Sequence, residues 1–171
     1  MSTTNLTADA LIELLELSPL PAEGGFFRET YRSMQRIPQH ALSGIYTSSK
    51  SYSTAIYYLL TPDSYSSLHR LPGDEIFHFY LGDPVEMLQL FGSGFGKVVT
   101  IGSDIIGGML PQVIVPAGTW QGSRLKEGGS FALLGTTMSP GFDFEDFTAA
   151  DKASIVTAYP AFKSQIERYL P

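Results

Sequence analysis

The sequence predicts a mainly-β fold, an antiparallel sandwich or barrel flanked by a helix at each end. Six short apolar or alternating runs, at 54–60, 76–81, 85–91, 97–101, 112–115 and 131–135, have the length and residue types of strands. Turn signals separate them at short intervals: Leu60-Thr61-Pro62-Asp63, Gly82-Asp83-Pro84 and Gly92-Ser93-Gly94-Phe95-Gly96. Little room for helix is left between them, and strands so punctuated pair as antiparallel sheets.

Taken in order, Thr7 is placed to cap a helix running to Leu17, with Leu11, Leu14, Leu15 and Leu17 close to helical spacing. Ser18-Pro19-Leu20-Pro21 stops it. Residues 23–32, Glu-Gly-Gly-Phe-Phe-Arg-Glu-Thr-Tyr-Arg, alternate well enough to be a strand whose polar members face either water or a pocket. Residues 33–52 are rich in Ser, Gln, Pro and Gly around a lone His40, the composition of a surface loop. The 92–96 cluster has no Lys-Ser/Thr after it and is flanked by strands, so it predicts a hairpin loop and not a phosphate loop. After Asp151 and Pro160, Phe162, Ile166, Tyr169 and Leu170 form one face of a terminal helix. The expectation is one domain over 1–171: a helical extension at about 7–17, a β core at about 23–147 and a helix at about 160–170.

Composition narrows the chemistry. The absence of cysteine removes disulfides and thiolate metal sites and suits a reducing cytoplasm, which is the expected location. Eleven Lys plus Arg against seventeen Asp plus Glu give a net charge of −6, which opposes binding to nucleic acid or anionic lipid. No apolar stretch reaches membrane-spanning length, and the first ten residues lack the layout of a signal peptide. Small polar ligands are the expected partners.

The chemistry concentrates at 65–82, Tyr-Ser-Ser-Leu-His-Arg-Leu-Pro-Gly-Asp-Glu-Ile-Phe-His-Phe-Tyr-Leu-Gly, which holds two of the three histidines. Two strand ends joined by a turn at Leu71-Pro72-Gly73-Asp74 aim His69, Glu75 and His78 toward one cavity. Strand alternation sets a conflict, because Glu75 and Phe77 share one face while Ile76, His78 and Tyr80 share the other. The expectation favours His78 and Tyr80 in the pocket with His69, and leaves Glu75 for a bulge or turn to redirect. Arg28 is read either as a surface charge or as a clamp for an anionic group, and Gln121, after the sole tryptophan Trp120, as a pocket amide or a strand-end hydrogen bond.

Glu75 followed by Gly82 resembles the end of the first cupin motif, and Pro116-Ala117-Gly118-Thr119-Trp120-Gln121 resembles the second, Pro-x-Gly-x-x-His. With residues 23–31, 116–124 and 140–144, the chain resembles one branch of the cupin superfamily, a domain of unknown function with a jelly roll like that of sugar epimerases. The resemblance implies a double-stranded β-helix, the cupin jelly roll, and a homodimer in which the strand at 23–31 pairs with or lies across a partner's sheet edge. It also implies a metal, which the sequence resists. Leu71 stands where the second histidine belongs, Gln121 at the last one and Leu125 at the final asparagine, so no metal is expected. If one is held, the ligands would be His69, Glu75, His78 and Gln121.

The leading functional expectation is proton transfer on a small polar or sugar-like substrate, by an isomerase, epimerase or lyase. His69 or His78 takes the proton, with Glu75 beside them, and Tyr80 returns one. Arg28, Gln121 and Trp120 hold the substrate. The alternative is a non-catalytic cupin that binds a small ligand, and the third reading is a metal-dependent dioxygenase, disfavoured by Leu71 and Gln121.

Overall fold

In the computed structural model, which describes residues 6–92 and 94–170, the Thr7 hydroxyl accepts from the Ala10 amide at 3.2 Å and opens α1 (Ala8–Leu14). The helix stops three residues short of the expected Leu17. Glu16 turns into the left-handed region at φ 53°, and the Leu17 amide bonds back to the Ile12 carbonyl to close the end. The N-terminal leader reading extends over residues 1–5, outside the described residues, and so does Ser93 of the 92–96 loop.

The strands follow as β1 (Ser18–Pro19), β2 (Phe26–Arg32), β3 (Arg36–Ile37), β4 (Lys50–Ser51), β5 (Thr54–Leu60), β6 (Tyr65–Arg70) and β7 (Glu75–Gly82). Then come β8 (Val85–Leu90), β9 (Gly96–Ile101), β10 (Gln112–Val115), β11 (Trp120–Leu125), β12 (Ala132–Met138) and β13 (Thr148–Ala149). One sheet has the order β1-β2-β5-β12-β7-β10 and the other β13-β6-β11-β8-β9, with antiparallel pairing throughout both. This is the expected mainly-β jelly roll. Consecutive strands alternate between sheets in the middle of the chain, so the turn at 71–74 carries the chain from β6 on one sheet to β7 on the other.

The two inner faces meet in a core that includes Tyr58, Leu60, Phe77, Met87, Ile101 and Leu134, all at 1% exposure or less. Each such side chain contributes about 1.5–3 kcal/mol on leaving water. The outer face of the first sheet is covered by Leu11 of α1 and by Leu17 in the turn after it, on Leu59 and Leu133. The outer face of the second is covered by α2 (Lys152–Ala158) and α3 (Lys163–Ile166), through Ile155, Ile166 and Tyr169 on Leu68, Leu88 and Leu90. The helix expected at 160–170 is broken: a 3-10 turn at Pro160–Phe162, the single α turn of α3 and a second 3-10 turn at Glu167–Tyr169. Its apolar face is kept, because the outer surface of β8 selects it.

The loop expected at 33–52 holds more order than its composition suggests. β3 and β4 pair as Arg36 with Ser51 and Ile37 with Lys50, and His40 sits in an exposed 3-10 turn between them. Lys50 is fully buried. Its ammonium lies 2.8 Å from Glu145 and from Asp146 and 3.3 Å from Asp143. Burial pulls the Lys50 pKa down, but hydrogen bonds to Asp146 and Glu145 outweigh it and the net direction is up. Arg32 adds two hydrogen bonds, to Asp143 Oδ1 and to the Phe142 carbonyl. Together they fasten the segment 140–147 as a strap across one end of the jelly roll.

Candidate functional site

Under the strap, between the sheets, lies a cavity of about 100 Å³. Its apolar walls come from β2, β5 and the strap, chiefly Phe27, Ile56, Phe142 and Phe144, with Leu71 from the 71–74 turn. Phe144 meets Phe27 and Phe142 edge to face, with ring centres 6.5 and 5.4 Å apart. Glu75, at the start of β7, and Glu23, in the turn before β2, both line this apolar space.

Glu75 is the first residue of β7 and points inward, at 7% exposure. Gln121 Nε2 donates to Glu75 Oε2 at 2.7 Å from the facing sheet. Burial, then the charge of Glu23, push the Glu75 carboxyl up to about 7, against the opposing pull of His69, Gln121 and Thr136. The turn before β7 sets that orientation: the Asp74 carboxylate accepts from the Ala117 amide at 2.7 Å, and the Gly118 amide bonds to the Leu71 carbonyl.

Glu23 is presented by a strained turn. Ala22 has φ 63°, Gly24 φ 100° and Gly25 φ 72°, and a Cβ on Gly24 would stand 2.3 Å from the Tyr65 carbonyl oxygen. Tyr58, fully buried, donates its hydroxyl to the Gly24 carbonyl at 2.9 Å and holds the turn down. The Ser66 hydroxyl then fixes the carboxylate through Glu23 Oε1 at 2.8 Å. Glu23 was legible only as the polar residue before a glycine pair, and its place in the cavity required the fold.

His69 backs Glu23. Its Nδ1 donates to the Ser67 carbonyl at 2.7 Å, since a carbonyl can only accept, and Nε2 faces Glu23 Oε2 at 3.9 Å with no hydrogen-bond partner. The ring is 1% exposed and stacks on Phe147 of the strap at 4.9 Å between centres. His69 and Gln121 are cross-strand neighbours on β6 and β11, which is why both side chains face inward. Gln121 is 1% exposed, and its Oε1 has no partner. Gln89, opposite Gln121 on β8, extends the same buried polar row and was not signalled in the sequence.

The remaining candidates lie elsewhere. The expectation that His78 and Tyr80 face the cavity is corrected: β7 is regular from Glu75 to His78, so Glu75 and Phe77 point in while His78 points out. His78 Nε2 is 3.3 Å from the Thr137 hydroxyl and Nδ1 3.3 Å from the Gln112 amide, both on the outer face. The bulge that sequence reasoning required comes later. It sits opposite the Leu133–Leu134 step and leaves Tyr80 unpaired, 49% exposed, with its ring against Tyr57 and over Gly135, where a Cβ would clash with the hydroxyl. Arg28 is also outside, bonded to the Leu15 carbonyl at 3.1 Å and to Glu16 at 3.0 Å, where it ties α1 to β2. Trp120, one residue before Gln121, faces the opposite way. It packs against the C-terminal helices with the Arg70 guanidinium 4.8 Å above its ring.

The ligand set implied for a metal does not fit. Leu71 contributes only hydrocarbon to the cavity wall, Gln121 spends its amide nitrogen on Glu75, and His78 is on the far face of the sheet. Among the described residues no three His, Cys, Asp or Glu side chains are arranged to hold a metal ion.

Comparison with known proteins bears on the family and the fold. The family model described as "Cupin superfamily (DUF985)" matches residues 9–150. The Saccharomyces cerevisiae protein YML079W is 34% identical over 134 residues, covering 74% of this chain and 67% of its own. Among solved structures, protein SO0799 of Shewanella oneidensis superposes with a TM-score of 0.85 at 31% identity, over 97% of this chain and 98% of its own. A Leishmania major protein does so with a TM-score of 0.85 at 29% identity, over 96% and 99%. Oxalate decarboxylase from Bacillus subtilis matches at a TM-score of 0.54 and 15% identity, over 91% of this chain and 37% of its own, a likeness of fold alone.

Proposed function

The chain belongs to the cupin superfamily (DUF985), and from that premise we propose that it is an enzyme moving a proton on a small polar molecule held in the jelly-roll cavity, an isomerase, epimerase or related lyase. The observation that carries this reading is the pair Glu23 and Glu75, two carboxyl groups in unlike surroundings that line one apolar cavity. Glu75 is held toward its neutral form by burial and by the Glu23 charge, so it is the proton donor near neutral pH. Glu23, fixed by Ser66 and backed by the His69 ring, is the acceptor. A carbon-bound proton passes to Glu23 while Glu75 gives its own proton to the other end of the substrate's π system, or to the opposite face of the same carbon. Gln121 and Thr136 support the carboxylate left on Glu75. This replaces His78 with Glu23 as base and Tyr80 with Glu75 as acid, and gives His69 a positioning role.

The test is incubation in deuterium oxide with a panel of small aldoses, hydroxyketones, aminoketones and amino acids, read by NMR as carbon-bound hydrogen replaced by deuterium. Exchange is expected with at least one compound and should fall by about a hundredfold or more in Glu75→Gln and in Glu23→Gln, the range of a lost general acid or base. A compound that saturates the cavity without exchanging would instead establish a binding cupin.

We also propose a homodimer. β1 pairs with β2 only at Phe26 and Phe27, which leaves the rest of that strand's outer edge available to a second copy. Light scattering at micromolar concentration should give twice the 18.7 kDa chain mass; a monomer would end this proposal.

A further inference from the structure

We infer that the cavity selects a small organic cation, a protonated amine on a short apolar skeleton, over anions and neutral molecules of the same shape. The inference rests on the reading that this cavity is the site, but it concerns what binds there and not what happens to it.

Four carboxylates line the cavity, Glu23, Glu29, Glu75 and Asp143, against one cation, Arg32. Arg32 spends four of its five N–H groups on the protein itself, which leaves a ligand anion one N–H on Nη1. Its Nε and one terminal nitrogen grip both oxygens of Glu29 at 2.9 and 2.8 Å, and further hydrogen bonds run to Asp143 at 3.0 Å and the Phe142 carbonyl at 2.8 Å. Glu29 and Asp143 thereby share Arg32, and Asp143 also pairs with Lys50. Glu23 and Glu75 form no ion pair with a lysine or arginine among the described residues.

Gln121, bonded to Glu75, brings an unpartnered acceptor of the same character. Its Oε1 belongs to a side chain 1% exposed, has no hydrogen-bond partner among the described residues and can only accept. An acceptor left bare in an apolar interior is costly, and a donor-rich ligand beside Glu75 relieves that cost. An ammonium group brings up to three donors and a positive charge.

The walls suit the rest of such a molecule. Phe27, Phe142 and Phe144 present ring surface, which attracts a cation and tolerates alkyl groups. At pH 8, above the raised Glu75 value of about 7, an anion would meet the carboxylates of both Glu23 and Glu75 in a medium of low dielectric. The volume of about 100 Å³ is smaller than the apolar cavity of roughly 150 Å³ that takes up benzene, so the limit inside the walls is below benzene's six non-hydrogen atoms.

The experiment is calorimetric titration at pH 8 of three probes of matched shape, isobutylammonium, isobutanol and isobutyrate, with manganese(II) chloride titrated separately. Isobutylammonium is expected to bind at least about tenfold more tightly than either of the others, a difference of about 1.4 kcal/mol. Glu23→Gln and Glu75→Gln should each remove that preference while leaving the isobutanol response in place, which shows that the cavity has kept its shape. Equal binding of the three, tighter binding of isobutyrate, or no heat with any of them overturns the inference. So does a manganese response lost in the same two variants without an ammonium response. The measurement needs no turnover, so its failure leaves proton transfer on another substrate standing, and a failure of deuterium exchange leaves the ligand class standing.

Discussion

Gln121 Nε2 donates to Glu75 Oε2 at 2.7 Å, a hydrogen bond in the interior that joins one sheet of the jelly roll to the other. The cupin pattern places a histidine at that position, and an amide there does different work. It cannot take up a proton near neutral pH, so proton exchange in the cavity is left to the carboxyl groups that line it.

Glu75 makes stability depend on pH. Its carboxyl is raised from 4.5 to about 7 in the folded chain, by burial and the charge of Glu23, with His69 opposing. The native state therefore holds this proton more tightly than the unfolded state. The contribution is complete below about pH 4.5 and is lost as pH climbs to about 7, on the order of 3 kcal/mol in all. Glu75→Gln, which stays neutral throughout, should melt about 5 °C or more above the parent at pH 8 and gain far less at pH 4. An equal difference at both pH values would show that Glu75 is not raised.

Gly24→Ala should be among the most damaging single changes in the chain. The new Cβ would meet the Tyr65 carbonyl oxygen at 2.3 Å, a backbone atom that cannot swing aside, at a residue with φ 100°. A loss of roughly 3 kcal/mol or more is expected in denaturant unfolding. A loss under 1 kcal/mol would mean that the turn presenting Glu23 is not held as described.

Lys50→Met should release the strap. The substitution keeps most of the side-chain volume but leaves Asp146, itself nearly buried, without its cation. Stability should fall by about 3 kcal/mol, and amide hydrogen exchange should quicken at 142–147 before it quickens in β5 or β12. Uniform exchange across the fold would indicate that the strap does not open by itself.

A strong chelator should leave the melting midpoint unchanged. With Leu71 and Gln121 at two ligand positions, little metal affinity can be linked to folding, whereas a full histidine site couples the two strongly. A fall of several degrees on chelation would revive the metalloenzyme reading.

The strands of the core were legible because period-two alternation and turn residues are local signals: 54–60 and 112–115 match β5 and β10 to the residue. The 71–74 turn was legible for the same reason. The site was legible in part. His69, Glu75 and Gln121 carried a family pattern, and the fold brings them together in the interior, with Gln121 opposite His69 and bonded to Glu75. Glu23 and Lys50 carried none, because a carboxylate before two glycines and a lysine in a serine-rich stretch look like surface residues until the partners distant in sequence are in place.

Alternation along β7 showed that Glu75 and His78 must oppose each other, and it fixed their relation without saying which faced inward. That choice belongs to the tertiary structure. β7 lies between β12 and β10, and α1 packs farther along the outer face of the same sheet, on Leu59 and Leu133, so burial of Phe77 against the second sheet sets the phase of the strand. With Phe77 committed to the core, Glu75 follows it inside, and His78 takes its hydrogen bonds from Thr137 and Gln112 at the surface. A sequence records the spacing of side chains along a strand; which face becomes the interior is decided by what the other sheet and the helices cover.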